Sequence, residues 1–148
     1  MSESNYKQPD LLLLGDDHVR AYRESGGEVG YIWNGVPTLL LTATGRRTGR
    51  KITSPLIFAR DGDDYLIVAS MGGAPKHPAW YLNLQANPEA EIQVKADQLA
   101  VVAHTASAEE KPRLWKIVTE VWPNYDTYQA RTDRNIPVVV LRPVPSPT

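Results

Sequence analysis

Apolar residues along the chain fall into runs of two kinds, and the runs of the first kind are typical of strands. From about residue 37 onward, VPTLLLTAT, KITSPLIFAR and DYLIVAS are apolar or alternating and rich in Leu, Ile, Val and Thr. AEIQVK, LAVVAHTAS and IPVVVLRP follow them, so the pattern predicts six strands. The DGDD segment after the second run predicts a hairpin turn, and short connections of this kind favour antiparallel pairing.

Segments of the second kind are predicted to be helices, and they lie at residues 16–24, 78–86 and 108–121. The second begins with a proline and ends at Asn87-Pro88, and the third has the period of an amphipathic helix. Ser107 stands before the third run and Glu110 follows it by three residues, which predicts a capping box. A short segment that carries Tyr125 and Tyr128 at helical spacing adds a fourth candidate. The chain is therefore predicted to be mainly β (α+β), a six-stranded antiparallel barrel with about four flanking helices.

Composition excludes several classes of protein. The 148 residues suit a single domain over 1–148, with residues 37–142 as its barrel core and the polar residues 1–9 as a disordered terminus. The absence of cysteine excludes thiolate metal sites, and we predict no metal. A net charge of -1 offers nucleic acid no general attraction. No apolar run is long enough for a signal peptide or a membrane span, so we expect a cytoplasmic protein.

The segment TGRRTGRK, residues 44–51, concentrates positive charge in a chain that has almost no net charge. Gly45 and Gly49 allow the backbone to turn its N–H groups toward one point, where they and the cationic side chains could bind a phosphate or carboxylate. The spacing is not that of a nucleotide-triphosphate loop. A solvated hairpin turn is the alternative interpretation.

The segment SMGGAPKHPAWYLNL, residues 70–84, combines special backbone with large aromatic surface. Gly72 and Gly73 precede a helix that begins near Pro78, and Trp80 is large enough to form one wall of a flat pocket. In the alternative interpretation the glycines only turn the chain, and Trp80 is part of the core.

Tyr125 and Tyr128 lie three residues apart, so a helix would place them on one face. A tyrosine with a pKa near 10 keeps its proton at neutral pH and can donate it to an oxygen that becomes negative during a reaction. The alternative is an amphipathic pair that covers the core and keeps its hydroxyls in water.

In this order, LLLTATGRRTGR (39–50), ASMGGAPKHPAWYLNLQANPEAEIQV (69–94) and YDTYQARTDRNIPVVVL (125–141) resemble the deazaflavin (F420)-dependent nitroreductases and F420H2-dependent quinone reductases. The resemblance extends from about residue 36 to residue 143. It implies a split β-barrel related to flavin-mononucleotide-binding oxidoreductases. It also implies that reduced coenzyme F420 donates a hydride to a small-molecule electron acceptor, which is a quinone, an enone or a nitroaromatic compound.

The resemblance further implies which residues form the site. Those expected to bind the cofactor's phosphate and acidic tail are Arg46, Arg47, Thr48, Gly49, Arg50 and Lys51. Those expected to lie against its ring are Pro55, Leu56, Ile57, Ser70, Met71, Gly72, Gly73, Ala79 and Trp80. The expected catalytic donors are Tyr125, Tyr128 and Ser70.

Two positions depart from the family pattern and weaken the expectation of nitroimidazole activation. Trp122 stands where some members carry a tyrosine, and Ile57 where some carry a polar aromatic residue. Two alternatives remain: an FMN-dependent oxidoreductase on the same barrel, against which the charge of the turn argues, and a non-catalytic F420-binding carrier. Val19 and Tyr22 give the first helix a thin apolar face, which would support only weak peripheral association with a membrane. The sequence does not determine the oligomeric state.

Overall fold

A computed structural model describes residues 15–144, so the disorder predicted for residues 1–9 lies outside the described residues. Over this range the protein is mainly β. The strands are β1 (Ile32–Trp33), β2 (Val36–Thr44), β3 (Lys51–Ile57), β4 (Ala59–Asp61), β5 (Asp64–Val68), β6 (Glu89–Val94), β7 (Asp97–Thr105) and β8 (Val138–Pro143). The helices are α1 (Gly15–Ser25), α2 (Ala79–Ala86), α3 (Lys111–Val121) and α4 (Asn124–Ala130), and Met71–Gly73 form a short 3-10 turn.

All strand pairs are antiparallel, and they form an 8-stranded sheet in the order β1-β2-β6-β7-β8-β5-β4, with β3 paired to β2. β3 and β4 therefore pair at opposite ends of the strand order. Phe58 alone separates them in the chain, so the two ends lie close together and the sheet curls. Antiparallel pairing and a mainly β fold with four helices are confirmed.

The predicted number of six strands is wrong for two reasons. The run KITSPLIFAR is divided at Phe58, whose side chain is buried and whose ring lies 5.5 Å from that of Tyr65. Residues before Phe58 pair with β2 and residues after it pair with β5, and a linear pattern does not reveal a change of partner. The strand β1 was missed, although Asn34 and Gly35, with φ of 51° and 81°, form the Asn-Gly turn that indicates a hairpin.

Alternate residues of β2 point to opposite faces of the sheet and pack in three apolar clusters. Leu39 and Leu41 pack in the larger cluster, which includes residues of α2. On the opposite face, Val36 packs with residues of α3 and α4, and Leu40 packs with residues of α1. Thr38 lies between Val36 and Leu40 on this second face, where the two groups of helices leave a gap.

The helices begin and end close to their predicted limits. The capping box is confirmed, because the backbone N–H of Ser107 donates to Glu110 at 3.0 Å and the backbone N–H of Glu110 donates to the Ser107 hydroxyl at 3.1 Å. α1 is fixed to the sheet by Tyr22, whose hydroxyl donates to the Thr38 carbonyl at 2.9 Å and accepts from the Lys95 N–H at 2.8 Å. Among residues 15–144, none of the helices has the length and apolar character needed to cross a bilayer.

Candidate active site

A cavity of about 430 Å³ lies beside the face of β2 and β3 that α1 and α4 flank. Its volume is in the range typical of small-ligand sites, roughly 300–1,000 Å³. It brings together three segments that are distant in the sequence. The predicted site residues that line it are Pro55, Leu56, Ile57, Ser70, Met71, Gly72, Trp80, Tyr125 and Tyr128.

Seven further residues line the cavity, and sequence reasoning had not assigned them to the site. They are Gly15, His18, Trp33, Thr38, Val68, Pro78 and Trp122. The first four come from α1, β1 and β2, the part of the chain for which the motifs gave no role. The Asn-Gly turn could have placed Trp33 in a hairpin, but no local pattern shows that α1 packs across β2.

The backbone between β5 and α2 has an unusual conformation. Met71, Gly72 and Gly73 have positive φ values of 47°, 64° and 85°. A side chain at Gly73 could not be accommodated, because a Cβ there would lie 2.6 Å from the Tyr128 carbonyl oxygen. Gly73 was expected at the cofactor ring, but it does not line the cavity, and its contact with α4 instead holds the loop against the segment that carries the tyrosines.

Arg134 binds this loop through its whole guanidinium group. Its Nε donates to the Ala74 carbonyl at 2.8 Å, and its Nη2 donates to the Ser70 carbonyl at 2.7 Å. Its Nη1 donates to the Ala69 carbonyl at 3.0 Å and to His77 Nδ1 at 3.1 Å. Sequence reasoning did not identify Arg134, although it lies within the third motif. Its partners are 57 to 65 residues away in the chain, so no local spacing indicates them.

The two tyrosines of α4 both line the cavity but differ in environment. Tyr125 is 5% exposed, and burial raises the pKa of its hydroxyl well above the usual value near 10, with a smaller contribution from Tyr128. Tyr125 therefore keeps its proton at neutral pH. The Tyr128 hydroxyl accepts a long hydrogen bond from Trp122 Nε1 at 3.4 Å, and the two tyrosine rings meet edge to face at 6.2 Å.

The cationic turn between β2 and β3 does not line the cavity. It is closed by backbone hydrogen bonds, including Gly45 N–H to the Arg50 carbonyl at 2.8 Å. The Arg46 guanidinium donates to the buried Asn83 side chain at 2.8 Å, which ties the turn to α2. The side chains of Arg47 and Arg50 are exposed and form no hydrogen bond or ion pair with the described part of the chain.

The turn and the cavity lie at opposite ends of β3. Lys51 begins this strand and Pro55 to Ile57 end it, so at about 3.3 Å per residue Lys51 is roughly 13 Å from Pro55. Ala79 is exposed at the start of α2 and is also outside the cavity lining. The predicted site residues thus fall into two groups, one around an apolar cavity and one at an exposed cluster of positive charge.

The curled antiparallel sheet thus carries an apolar cavity and, at the other end of β3, a separate cationic turn. The family model for F420H(2)-dependent quinone reductase matches residues 16–143. The chain therefore belongs to this family, and the resemblance inferred from the three motifs is confirmed.

Individual relatives agree with this assignment. The F420H(2)-dependent quinone reductase Rv1261c of Mycobacterium tuberculosis (strain ATCC 25618 / H37Rv) is 48% identical over 128 residues, which cover 84% of this chain and 86% of the relative. A solved structure described as an F420-H2 dependent reductase (FDR-A) is 40% identical with a TM-score of 0.67 and covers 72% of this chain and 94% of its own. Another, described as a domain-swapped dimer, is 40% identical with a TM-score of 0.68 and covers 72% of this chain and 80% of its own.

Proposed function

We propose that this protein is an oxidoreductase that transfers a hydride from reduced coenzyme F420 to a quinone, with enones and nitroaromatic compounds as further acceptors. The observation that carries the proposal is the coincidence of the family match with the cavity. The match spans residues 16–143, and every residue that lines the cavity except Gly15 falls within it. The relatives' names indicate the reaction, and the cavity offers a place of suitable size and polarity for it.

The residues present fit this cofactor. Apolar side chains from β3 together with Trp80 suit a flat tricyclic ring, and the buried Thr38 hydroxyl, which has no partner in the described residues, suits a polar atom at its edge. Arg47, Arg50 and Lys51 at the far end of β3 suit a phosphate and an acidic tail, because charge-assisted hydrogen bonds bind anions strongly. When bound, reduced F420 supplies a hydride.

Three hydroxyl groups are proposed to act on the acceptor. A quinone that takes up a hydride gains negative charge on oxygen and then needs a proton to become a quinol. Tyr125 and Tyr128 line the cavity with their hydroxyl-bearing side chains, and Ser70 adds a third hydroxyl to the lining. A donor that is already aimed at the developing charge contributes about 3 kcal/mol to lowering the barrier.

The cavity favours quinones over bicyclic nitroimidazoles. Trp122 and Ile57 both line it, and neither carries a hydroxyl. The Trp122 indole can donate a hydrogen bond through Nε1 but cannot transfer a proton at neutral pH. We therefore expect nitroimidazole reduction to be slower than quinone reduction in the same assay.

Cofactor titration followed by turnover tests the proposal. Purified protein is titrated with oxidised F420 and, in parallel, with FMN, and we expect F420 to bind at micromolar strength or better and FMN more weakly. Reduced F420 is then mixed with menadione, a nitroimidazole or no acceptor, and its reoxidation is followed optically. Equal or tighter FMN binding would favour the FMN-dependent alternative, and tight F420 binding with no reoxidation by any acceptor would favour a carrier.

We also propose that the whole chain forms one domain and that the curled sheet is a split β-barrel, because Phe58 alone joins the strands at its two ends. A cytoplasmic location is supported by the absence of cysteine from the sequence. Weak peripheral association with a membrane stays a prediction, and co-sedimentation with lipid vesicles tests it. Val19 and Tyr22, the apolar residues of α1, are buried against Leu40 and so give it no support.

A further inference from the structure

Thr38 occupies a particular position on β2. Its neighbours on the same face, Val36 and Leu40, belong to the clusters formed with α3–α4 and with α1, so Thr38 stands between them and lines the cavity. Its partner across the ladder is Ile57, which lines the cavity too.

The backbone of Thr38 is fixed on both sides. Its N–H donates to the Tyr31 carbonyl at 2.7 Å, and its carbonyl accepts from the Tyr22 hydroxyl at 2.9 Å. The position of the side chain is therefore determined by the fold.

The Thr38 hydroxyl is buried without a hydrogen-bond partner. The residue is 2% exposed, and its Oγ1 is the buried side-chain polar atom that has no partner among residues 15–144. Leaving such a group unpaired destabilises a folded protein, so native structures do so rarely and often at sites that bind something. Valine would fill the same space at this strand position without that cost.

Among the described residues, the other polar groups around the cavity form no hydrogen bond with the Thr38 hydroxyl. His18 lines the cavity, but its Nε2 donates to the Gly30 carbonyl at 2.8 Å. The hydroxyls of Ser70 and Tyr125, both in residues less than a tenth exposed, likewise form no hydrogen bond with the described residues. Residues that carry a hydroxyl thus line the cavity from β2, the loop after β5 and α4, and the hydroxyl of Thr38 is the fully buried one without a partner in the described part of the chain.

We propose that Thr38 is a ligand-binding residue whose hydroxyl donates a hydrogen bond to a carbonyl oxygen of the bound ligand. The inference rests on the proposed function, which supplies two sources of such an oxygen: the quinone acceptor and a ring carbonyl of F420. A quinone oxygen accepts hydrogen bonds and cannot donate them, so it matches a hydroxyl that has no acceptor within the protein. Thr38 on β2 would then add to the specificity of the site for carbonyl compounds.

Thr38→Val, with Thr42→Val as matched control, tests this inference. Both changes replace a threonine of β2 by a side chain of similar shape, but the Thr42 hydroxyl is hydrogen-bonded to Thr53 at 2.7 Å. In ligand-free protein we expect Thr38→Val to raise the melting temperature and Thr42→Val to lower it. We expect Thr38→Val to weaken ligand binding about tenfold and Thr42→Val to leave it unchanged. Thr38→Ser, which keeps the hydroxyl, should bind as the wild type does.

Two measurements distinguish the sources of the carbonyl. A tenfold weaker dissociation constant for oxidised F420, from calorimetry without acceptor, would assign the hydrogen bond to the cofactor ring. A tenfold higher KM for menadione with unchanged F420 binding would assign it to the acceptor. Either result, together with the raised melting temperature, supports the proposal.

Two results would overturn it. A lowered melting temperature in Thr38→Val would show that the hydroxyl has a partner within the protein, and unchanged constants for both F420 and menadione would show that no ligand uses it. Failure of the wild type to bind F420 would instead overturn the proposed function, and the proposed ligand with it. The two failures are therefore distinguishable.

Discussion

The loop of residues 69–77 and the turn of residues 45–50 each contain two glycines, but their contacts with the rest of the protein differ. In the loop, the single guanidinium of Arg134 donates four hydrogen bonds of 2.7 to 3.1 Å. In the turn, Arg47 and Arg50 make no side-chain hydrogen bond or ion pair with the described part of the chain. Arg134 thus fixes the loop, whereas the turn is fixed at Arg46, which bonds to Asn83, and exposes the charges of Arg47 and Arg50 to solvent.

The difference matches two demands of one ligand. Hydride transfer depends steeply on the distance and angle between the reacting atoms, so the residues beside the ring must be held in place before the ligand binds. Attraction between a cation and an acidic tail falls off gradually with distance, so it tolerates side chains that settle only on binding. We infer that the loop is preorganised for the ring and that the turn attracts the tail.

Removing Arg134 should have the largest effect on stability and F420 affinity, because the loop would lose the four hydrogen bonds that this side chain donates. Arg134→Ala removes the guanidinium donor from the Ala69 and Ala74 carbonyls and from His77 Nδ1, and it leaves the Ser70 carbonyl with the Gly73 N–H. We expect the free energy of unfolding to fall by about 3 kcal/mol. We expect F420 affinity to fall by more than about a hundredfold, a loss equivalent to about 3 kcal/mol. Urea unfolding and calorimetric titration measure the two quantities.

Arg131→Ala is the comparison variant, because Arg131 reaches the same loop with a long hydrogen bond to the Gly72 carbonyl at 3.4 Å while its guanidinium also lies 5.6 Å from the centre of the Tyr128 ring. Its effects on stability and affinity should be several times smaller than those of Arg134→Ala. Wild-type affinity in Arg134→Ala would mean that the loop holds its conformation through its own backbone bonds, such as Gly73 N–H to the Ser70 carbonyl at 2.9 Å.

Tyr128→Phe tests whether the tyrosine hydroxyl beside the loop of residues 69–77 donates to the acceptor during hydride transfer. The change keeps the ring that packs against Tyr125 and removes a hydroxyl that, among residues 15–144, accepts one hydrogen bond of 3.4 Å. We expect menadione turnover to fall about a hundredfold, as for the loss of one aimed donor, while F420 affinity stays within about twofold. Tyr81→Phe removes a hydroxyl outside the cavity lining, bonded to Thr105 at 2.9 Å, and should lower stability without changing turnover.

Arg47→Ala combined with Arg50→Ala tests whether the cationic turn between β2 and β3 attracts the acidic tail. We expect F420 affinity to fall more than about tenfold, with turnover at saturating F420 unchanged and the remaining affinity less sensitive to salt. Arg113→Ala combined with Arg142→Ala removes the same charge from arginines paired with Asp61 and Asp64, and should leave F420 affinity nearly unchanged. Equal effects of the two pairs would assign the attraction to the net charge of the protein.

The smallest expected effect is the pH dependence of the stability that His77, at the end of the loop, contributes. Burial, and then the neighbouring Arg134, lowers the pKa of His77 below its usual value near 6.5. The unfolded chain therefore takes up this proton first on acidification, so the stability contributed by the neutral ring is present above pH 6.5 and is lost as pH falls below it.

We expect this loss to be below about 1 kcal/mol between pH 7.5 and 5.5, because solvent reaches part of the ring. His77→Gln keeps an acceptor for Arg134 that does not titrate in this range, so it should lose less stability over the same interval in urea unfolding. An equal loss of stability in the wild type and in His77→Gln would show that His77 does not contribute to the pH dependence of stability.

Local patterns in the sequence were sufficient for most of the secondary structure. The capping box of Ser107 and Glu110 and the six apolar runs each depend on neighbours within about four residues, and periodicity detects patterns over that distance. The three motifs were also sufficient to identify the family, because their residues and order were specific. Nine of the predicted site residues line the cavity, and their roles toward a cofactor stay predictions.

Only the tertiary structure decided how these parts meet. It ties Arg134 to partners 57 to 65 residues away, places α1 beside the cavity, and passes the chain at Phe58 from one strand partner to another. It also leaves Thr38 with a buried hydroxyl and no partner, although the threonine-rich pattern of β2 does not distinguish it from Thr42. Local spacing fixes which way a side chain points along its own element, whereas its partner depends on how distant elements pack.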